Sequence, residues 1–254
     1  MYDRNMVFDF THTYPEEMRA GNEFIWFDCS DIEESRLYCS DKAEAELKEL
    51  IEPYGISGIH FIDSGDYHYI SRYMTEFIKE SFSLVLFDHH TDMQKPLIAG
   101  MTSCGSWAGE VLEGNEYLEQ LVLIGPRQRI LNSLEVKNKE KLVGISFEEV
   151  AEGKAKDRLE SIRMDVPAYL SIDKDVLRQQ SARTNWDQGD MSVSTLEQLL
   201  RFLMTEMEII GIDICGEYPE EGNLPEFLEA QRINNKLNME LYSYISELLK
   251  KREY

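Results

Sequence analysis

Short apolar runs rich in β-branched and aromatic residues recur along the chain, at intervals long enough to hold a helix between them. This pattern constrains the fold most, because continuous apolar stretches are typical of parallel strands buried on both faces, and such strands need long crossover connections. The runs are 7–10, 24–27, 58–62, 84–87, 121–124, 168–172 and 209–214. They predict a three-layer α/β/α fold with a mainly parallel sheet, formed by one domain over residues 1–254.

Helical signals fill several of the gaps between these runs. Ser40 is a candidate N-cap for a helix that stops at Pro53. The residues from Ser194 to Glu197 have the sequence of a capping box, so we expect a helix to begin there and to lead into the run at 209–214. A last helix is predicted to open near Pro225 and to close the fold against the sheet.

Composition excludes several classes of protein. The chain has 26 Lys and Arg against 48 Asp and Glu, a net charge of −22, which speaks against binding to nucleic acid or to anionic membranes. It contains no apolar run long enough for a membrane span and no signal-peptide pattern at its start. The four cysteines are scattered and form no C-x-x-C pair, which indicates reduced thiols. We therefore expect a cytoplasmic protein that acts on a small molecule, and we leave a homo-oligomer open.

His and Asp residues occur where three of the apolar runs stop. His68 follows the run at 58–62, the segment from Asp88 to Asp92 follows 84–87, and Asp173 and Asp175 follow 168–172. In open α/β sheets ligands bind at the carboxyl edge of the strands. Residues two apart in an extended segment point the same way, so we expect these side chains to converge at that edge.

Four carboxylates brought together in a crevice repel one another unless cations neutralise them. Two divalent metal ions with bridging carboxylates meet that need. Mixed carboxylate and imidazole ligands favour an ion such as Mn²⁺ over the thiolate sites typical of structural Zn²⁺. The predicted ligands are His68, Asp88, His90, Asp92, Asp173 and Asp175.

The three segments resemble, in order and in strand context, the metal motifs of the ureohydrolase family, which comprises arginases, agmatinases and formimidoylglutamases. Gly65 to His68 is similar to the family's Gly-rich turn ending in His, Asp88 to Asp92 to its Asp-x-His-x-Asp, and Ser171 to Asp175 to its Ser-x-Asp-x-Asp. The resemblance spans residues 58–219. It implies an arginase-like metallohydrolase.

The resemblance also implies which residues bind each ion and what the ions do. One Mn²⁺ would be held by His68, Asp88, Asp92 and Asp173, and the other by Asp88, His90, Asp173 and Asp175, so that Asp88 and Asp173 bridge. Hydroxide generated between the ions would cleave a C–N bond of a guanidino, formimino or related amide-like group. Asp88, His90 and Asp173 are accordingly the predicted catalytic residues.

Two positions depart from the family pattern. Trp107 stands where arginases place a His that shuttles protons, and Gly216 stands where the family has a Glu that grips the guanidinium group. Glu217 comes one residue later, and a shift of one residue along a strand points a side chain to the opposite face unless a bulge re-aims it. The chain is therefore expected to be a divergent member whose metal site is kept and whose substrate pocket is rebuilt.

The rebuilt pocket has four predicted contributors, namely Arg183, Trp186, Glu217 and Trp107. In the polar loop 181–190, Arg183 could clamp a carboxylate and Trp186 could stack on the substrate. An ordinary connecting loop explains the same residues equally well. Lys174 is expected to neutralise nearby carboxylates.

Two other functions are consistent with the sequence. One is a deacetylase-like amidohydrolase of the same fold, which holds a single Zn²⁺ between Asp, His and Asp. The presence of both Asp92 and Asp175 favours two metal ions over one. The other is a metal-binding protein that has lost turnover and acts as a regulator, which the residues at Trp107 and Gly216 motivate.

Overall fold

The apolar runs form the strands of one parallel sheet. The computed structural model of the chain describes residues 4–98, 100–220 and 223–252. The sheet has eight strands in the order β2-β1-β4-β10-β9-β5-β7-β8, and every neighbouring pair is parallel. These strands are β1 (Met6–Asp9), β2 (Ile25–Asp28), β4 (Ile59–Ser64), β5 (Phe82–Phe87), β7 (Leu118–Ile124), β8 (Leu142–Ile145), β9 (Ala168–Asp173) and β10 (Ile209–Glu217). Two short strands, β3 (Tyr38–Cys39) and β6 (Thr102–Ser103), pair with each other in antiparallel fashion.

Helices cover both faces of the sheet and complete the predicted three layers. They are α1 (Glu16–Ala20), α2 (Asp41–Ile51), α3 (Ile70–Glu76), α4 (Trp107–Gly114), α5 (Gln128–Ser133), α6 (Phe147–Ala151), α7 (Ala155–Leu159), α8 (Val193–Glu206) and α9 (Leu224–Arg252). The buried side chains of α2, α3 and α4 form one core with one face of the sheet, while those of α6 to α9 form a second core on the other face. Burying apolar surface on both faces stabilises such a layered fold.

Capping residues fix where the helices begin. The Ser40 hydroxyl accepts from the amide of Ala43 over 3.3 Å, as predicted, and α2 ends before Pro53. The predicted capping box at Ser194 is wrong. The N-cap is Ser192, which has extended backbone and accepts from the Thr195 amide over 3.1 Å, so that Ser194 lies inside the first turn of α8.

The sequence did not reveal the edge strand β8. Its residues are partly exposed and it contains a glycine, so it lacks the continuous apolar pattern of the buried strands. Strand β10 runs to Glu217, three residues beyond the predicted run.

Chain order in the sheet creates a crevice at its centre. The chain passes from β4 to β5 across the positions that β10 and β9 fill later, so the four central strands come from both halves of the sequence. In such sheets ligands bind where the strand order reverses, at the carboxyl ends. None of the helices in the described part of the chain combines the length and apolar character needed to cross a membrane.

Candidate metal centre

Six potential metal ligands meet at the carboxyl edge of three central strands. A single 3-10 turn over residues 65–67 carries the chain from β4 to His68. Asp88, His90 and Asp92 follow β5, and Asp173 ends β9 with Asp175 in the turn behind it. The structure thus brings together all the residues that the sequence predicted as ligands. In the described residues three groups have metal-ligand spacing. Two consist of predicted ligands, His68, Asp88 and Asp92, and Asp88, His90 and Asp175, and the third adds Cys215 to His68 and Asp173.

The first group surrounds the Nδ1 atom of His68. This atom lies 3.2 Å from Oδ2 of Asp92, 3.4 Å from Oδ2 of Asp173 and 3.6 Å from Oδ2 of Asp88. All four side chains are almost completely buried. One nitrogen and three carboxylate oxygens therefore face a common point, which is the arrangement of ligands around an ion.

Hydrogen bonding orients His68 for this role. Its Nε2 atom lies 2.8 Å from the Ser171 hydroxyl, which lies 3.1 Å from the Ser71 hydroxyl. Nδ1 of His68 and Oδ2 of Asp88 are buried without a hydrogen-bond partner. An unpaired buried polar atom costs about 1–3 kcal/mol and more when it is charged. A divalent cation between these atoms would remove that cost, so the residues present fit a metal ion.

The second group lies on the other side of Asp88. Nδ1 of His90 is 2.7 Å from Oδ2 of Asp175 and 3.7 Å from Oδ1 of Asp88. Backbone amides fix the carboxylates, because the His90 amide donates to Asp88 over 2.6 Å and the His89 amide donates to Asp175 over 2.9 Å. The Asp175 amide donates to Asp173 over 2.8 Å. Since the two groups share Asp88, they lie next to each other.

Crowding of these groups changes their protonation. Burial raises the pKa of Asp88 and of Asp175 well above the ordinary carboxyl range, and the neighbouring carboxylates raise both further. Burial also raises the pKa of Asp173, which the charge of His68 partly offsets. For His68, burial lowers the pKa, but the adjacent Asp92 and Asp173 outweigh burial and leave the pKa raised. A bound cation would displace the retained protons.

A close-fitting backbone surrounds the carboxylate of Asp173. Gly216 in β10 has φ of +99°, and a Cβ atom there would lie 2.6 Å from Oδ1 of Asp173. Both the backbone angle and the space therefore require glycine at this position.

A cavity of about 300 Å³ opens above the two groups. Asp88, His90, Asp92, Asp173 and Asp175 lie at its floor. Trp186 forms one wall, 38% exposed, with its ring centre 5.8 Å from that of His90. The site can thus hold a small molecule beside the metal ligands, and Trp186 lies where the sequence predicted a substrate contact.

Comparison of the sequence with profiles of protein families shows which family the chain belongs to. The sequence profile described as the Arginase family matches residues 12–223, which is most of the chain. The chain belongs to the arginase family. A protein of Thermotoga maritima, described only as uncharacterized, is 27% identical over 230 residues, covering 90% of this chain and 85% of that protein.

Solved structures of other arginase-family proteins share the fold. The agmatine ureohydrolase of Thermoplasma volcanium superposes with a TM-score of 0.67 at 15% identity, over 100% of this chain and 92% of that one. The formimidoylglutamase of Bacillus subtilis gives 0.68 at 14% identity, over 98% and 88%. The formiminoglutamase of Trypanosoma cruzi, solved with Mn²⁺, gives 0.63 at 14% identity, over 94% and 93%. These likenesses establish the arginase fold.

Trp107 does not line the cavity, contrary to the prediction that it binds substrate. It is fully buried at the start of α4, and its Nε1 atom donates to Oδ2 of Asp92 over 2.6 Å. Its ring centre lies 4.8 Å from that of His68. The indole therefore contacts two of the candidate metal ligands from the interior and does not line the cavity. In this arginase-family chain the same segment lines the cavity with Ser103, Cys104 and Gly105.

The observed position of Glu217 also differs from the prediction that it binds substrate. The pairing of β10 with β4 continues in step from Cys215 to Glu217, so no bulge re-aims the side chain. Glu217 is 1% exposed and forms a buried ion pair with Lys174, and Asn238 of α9 donates to it over 2.7 Å. Lys174 neutralises a carboxylate, as expected. The side chain of Glu217 is therefore held in the protein interior by these contacts.

Arg183 stays outside the group of side chains that line the cavity. Its backbone amide donates to Asn234 over 2.8 Å, and Asn234 donates to its carbonyl over 2.7 Å. This pairing ties the loop 181–190 to α9 and leaves Trp186 as the loop residue that lines the site. The predicted substrate contact of Arg183 is thus not supported by its position.

Several residues that build the site escaped sequence reasoning. Asp66 is 2% exposed and accepts from Nε of Arg36 over 2.9 Å, from Asn185 over 3.0 Å and from Nε1 of Trp186 over 2.9 Å. It thereby joins three loops at the cavity rim. Asp66 lies inside the motif that ends in His68, which was its only signal. The Ser71 hydroxyl and Asn238 carry no sequence signal of their roles at all.

Proposed function

We propose that this chain is a dinuclear manganese-dependent hydrolase that cleaves a C–N bond in a guanidino, formimino or related amide-like group of a small polar substrate. One observation supports this above the others: Nδ1 of His68 and Oδ2 of Asp88 are buried without partners beside the carboxylates of Asp92 and Asp173. A cation is the simplest group that satisfies all of these atoms.

The ligand sets are those that the resemblance to the ureohydrolase motifs implies. His68, Asp88, Asp92 and Asp173 would hold the first ion, and Asp88, His90, Asp173 and Asp175 the second, with Asp88 and Asp173 shared. Carboxylate and imidazole ligands suit Mn²⁺, and the Trypanosoma cruzi formiminoglutamase of the same fold was solved with Mn²⁺. When bound, the pair of ions would activate water and offset the negative charge that develops on the substrate.

The chain's own residues would orient the reaction. Asp88, His90 and Asp173 line the cavity floor, so a substrate that enters would meet the metal-binding edge there. Trp186 would cover the reacting group from one side and exclude water, which strengthens electrostatic interactions inside. The neighbouring backbone amides of His89 and Asp175 keep the carboxylates from rotating away.

The deacetylase-like alternative would use a single ion. Two ligand groups that share one aspartate favour a pair of ions over one. The third alternative, a metal-binding regulator without turnover, would share the whole metal centre and differ only in its activity.

We place this activity in the cytoplasm, because the four cysteines are buried free thiols, which fits a reducing compartment. A small molecule is the proposed partner, with neither nucleic acid nor membrane bound, and a homo-oligomer stays open.

A substrate panel tests the proposal. The Mn²⁺-loaded chain is assayed with agmatine, guanidino acids, formimino amines and acetylated amines, and release of urea, ammonia or amine is measured. We expect turnover of at least one compound with the wild-type chain and none with Asp88→Asn, since that variant loses a ligand common to both ions. Amine release only from acetylated compounds, with one Zn²⁺ bound, would instead indicate the deacetylase-like enzyme. Metal binding without any turnover would indicate the regulator.

A further inference from the structure

The walls of the cavity differ in chemistry from its floor. Apart from the candidate metal ligands the surface that lines the cavity is mainly apolar, and Leu37, Tyr38, Leu97 and Trp186 contribute to it. Among the described residues that line the cavity, the acidic ones all belong to the metal centre, and Lys95 is the cationic one. The part of a substrate that projects away from the reacting group would therefore meet apolar surface and, at the rim, a positive charge.

The buried carboxylates Asp66 and Glu217 do not line the cavity and already have partners. Asp66 is buried and accepts hydrogen bonds from Arg36, Asn185 and Trp186. Glu217 is buried against Lys174. Neither can pair with a positively charged substrate tail without breaking its present contacts.

The carboxylates of the metal centre are also unsuitable partners for a positively charged substrate tail, because the ions balance their charge. Two divalent ions contribute +4 and four aspartates −4, so the ions offset the charge of these carboxylates. Burying an ammonium group without a partner is costly. The net charge of −22 attracts cations to the surface in general, but salt screens such charges beyond about 8 Å at physiological ionic strength, so this field supplies no partner within the cavity.

Trp186 is held in place as a preformed wall. Its Nε1 atom donates to Oδ1 of Asp66 over 2.9 Å. Its ring packs against the backbone of Gly65, where a Cβ atom would lie 2.8 Å from Cδ1 of the indole. An aromatic surface fixed in this way binds an apolar group with little loss of conformational entropy.

We propose that the substrate of this enzyme carries a small apolar body that packs against Trp186, and no positive charge outside the reacting group, its far end being neutral or anionic. This inference rests on the proposed hydrolase function, since it assumes that the two ions are bound. The cavity volume of about 300 Å³ lies at the small end of the range of ligand pockets, which suits a body that contains one ring.

Binding of three hydroxamic acids to the Mn²⁺-loaded full-length chain tests this without requiring turnover. All three share the metal-binding head and differ in the tail: 3-phenylpropanohydroxamic acid, 4-aminobutanohydroxamic acid and the monohydroxamate of succinic acid. Dissociation constants are measured by titration calorimetry. We expect the phenyl compound to bind at least about 10-fold more tightly than the ammonium compound, from burial of the ring against Trp186.

Variants test which side chains cause the preference among the three hydroxamic acids. Trp186→Ala should weaken binding of the phenyl compound by about 10-fold and change binding of the ammonium compound little. Lys95→Glu should strengthen binding of the ammonium compound and weaken that of the succinic compound. Lys42→Glu makes the same charge change at an exposed position that does not line the cavity, and it should change neither.

Equal or tighter binding of the ammonium compound to the wild-type chain would overturn this inference while leaving the hydrolase proposal intact. Metal content, measured before any ligand is added, separates the two failures. A chain that takes up no Mn²⁺ would overturn both.

Discussion

Trp107 donates a hydrogen bond from Nε1 to Oδ2 of Asp92 over 2.6 Å, the same oxygen that lies 3.2 Å from Nδ1 of His68. Asp92 has a positive φ of 49°, which is uncommon for a residue other than glycine. The indole therefore stabilises an aspartate whose backbone is held in an unfavourable region. A residue that the sequence suggested as a substrate contact instead supports a metal ligand.

Replacing Trp107 by Phe is expected to weaken Mn²⁺ binding at the site of His68 and Asp92. The change keeps a smaller aromatic ring in the core and removes the donor to the Asp92 carboxylate, worth about 1.5–3 kcal/mol, or about 10- to 100-fold in affinity. Calorimetric titration with Mn²⁺ measures this affinity. Trp26→Phe is the matched control, because Trp26 also donates to an aspartate, Asp9, away from the site. Unchanged Mn²⁺ affinity in Trp107→Phe would show that the bond does not support the ligand.

The ion pair of Lys174 and Glu217 is expected to be a large determinant of stability. Both side chains are buried, so Lys174→Met leaves an unpaired carboxylate inside the fold, and the free energy of unfolding should fall by about 3–5 kcal/mol. The double variant Lys174→Met with Glu217→Gln removes that charge and should recover most of the loss. Urea unfolding monitored by circular dichroism measures both.

Lys154→Met provides the control for that experiment. Lys154 pairs with Glu152 on the surface, where solvent screens such pairs and they contribute little to stability. If Lys174→Met lowers the free energy of unfolding no more than Lys154→Met does, the claim that the buried ion pair of Lys174 and Glu217 stabilises the fold would be contradicted.

Metal binding is expected to release protons at pH values above the ordinary carboxyl range and to strengthen as pH rises. The pKa values of Asp88 and Asp175 are raised by burial and by neighbouring carboxylates, so without metal these groups keep protons at pH values where an isolated aspartate is ionised. The metal-free fold is consequently stabilised by acid and loses that stability as pH rises from the ordinary carboxyl pKa through the raised ones. Metal ligation requires the ionised form and gives the opposite slope.

Calorimetric titration with Mn²⁺ in buffers of different ionisation enthalpy counts the released protons. Asp88→Asn should release fewer, because the amide has no proton to lose. An affinity independent of pH between 6 and 8, with no proton release, would mean that the carboxylates are already ionised without metal.

The ligand motifs were predictable because their spacing is local. Asp88, His90 and Asp92 follow an apolar strand and point one way, so neither packing nor topology had to be known. The strands were predictable for the same reason, since strands buried on both faces are continuously apolar. The edge strand β8, with partly exposed residues, lacked this signal, as did the two-residue strands β3 and β6.

The roles of Trp107 and Glu217 could not be predicted, because their partners are set by packing. Trp107, at the start of α4, contacts Asp92, which lies 15 residues earlier in the sequence. Glu217 contacts Lys174, which lies 43 residues earlier and next to the neighbouring strand. Lys174 was expected to neutralise a carboxylate, but the alternation along one strand does not say which carboxylate lies on the next. Asp66 joins three loops, and contacts between loops leave no periodic pattern in the sequence.

L-arginine is expected to be a poor substrate or none. Gly216 has no side chain to grip the guanidinium group, and Glu217 is paired with Lys174, so a charge-assisted contact worth about 1.5–3 kcal/mol is missing. The absence of the arginase proton shuttle should cost a further factor of about 10²–10⁴ in rate. Urea release from L-arginine by the Mn²⁺-loaded chain should stay near background, and robust release would show that another carboxylate reaches the guanidinium group.

The metal content of the purified chain tests the central claim most directly. After reconstitution with Mn²⁺ and removal of unbound ions, elemental analysis is expected to give about two Mn²⁺ per chain, since two divalent ions balance four buried aspartates. Asp173→Asn, which alters a ligand proposed to bridge both ions, should lower the content at both sites, whereas His68→Ala should empty mainly one. A wild-type content of zero, or of one tightly bound Zn²⁺, would contradict the dinuclear manganese centre.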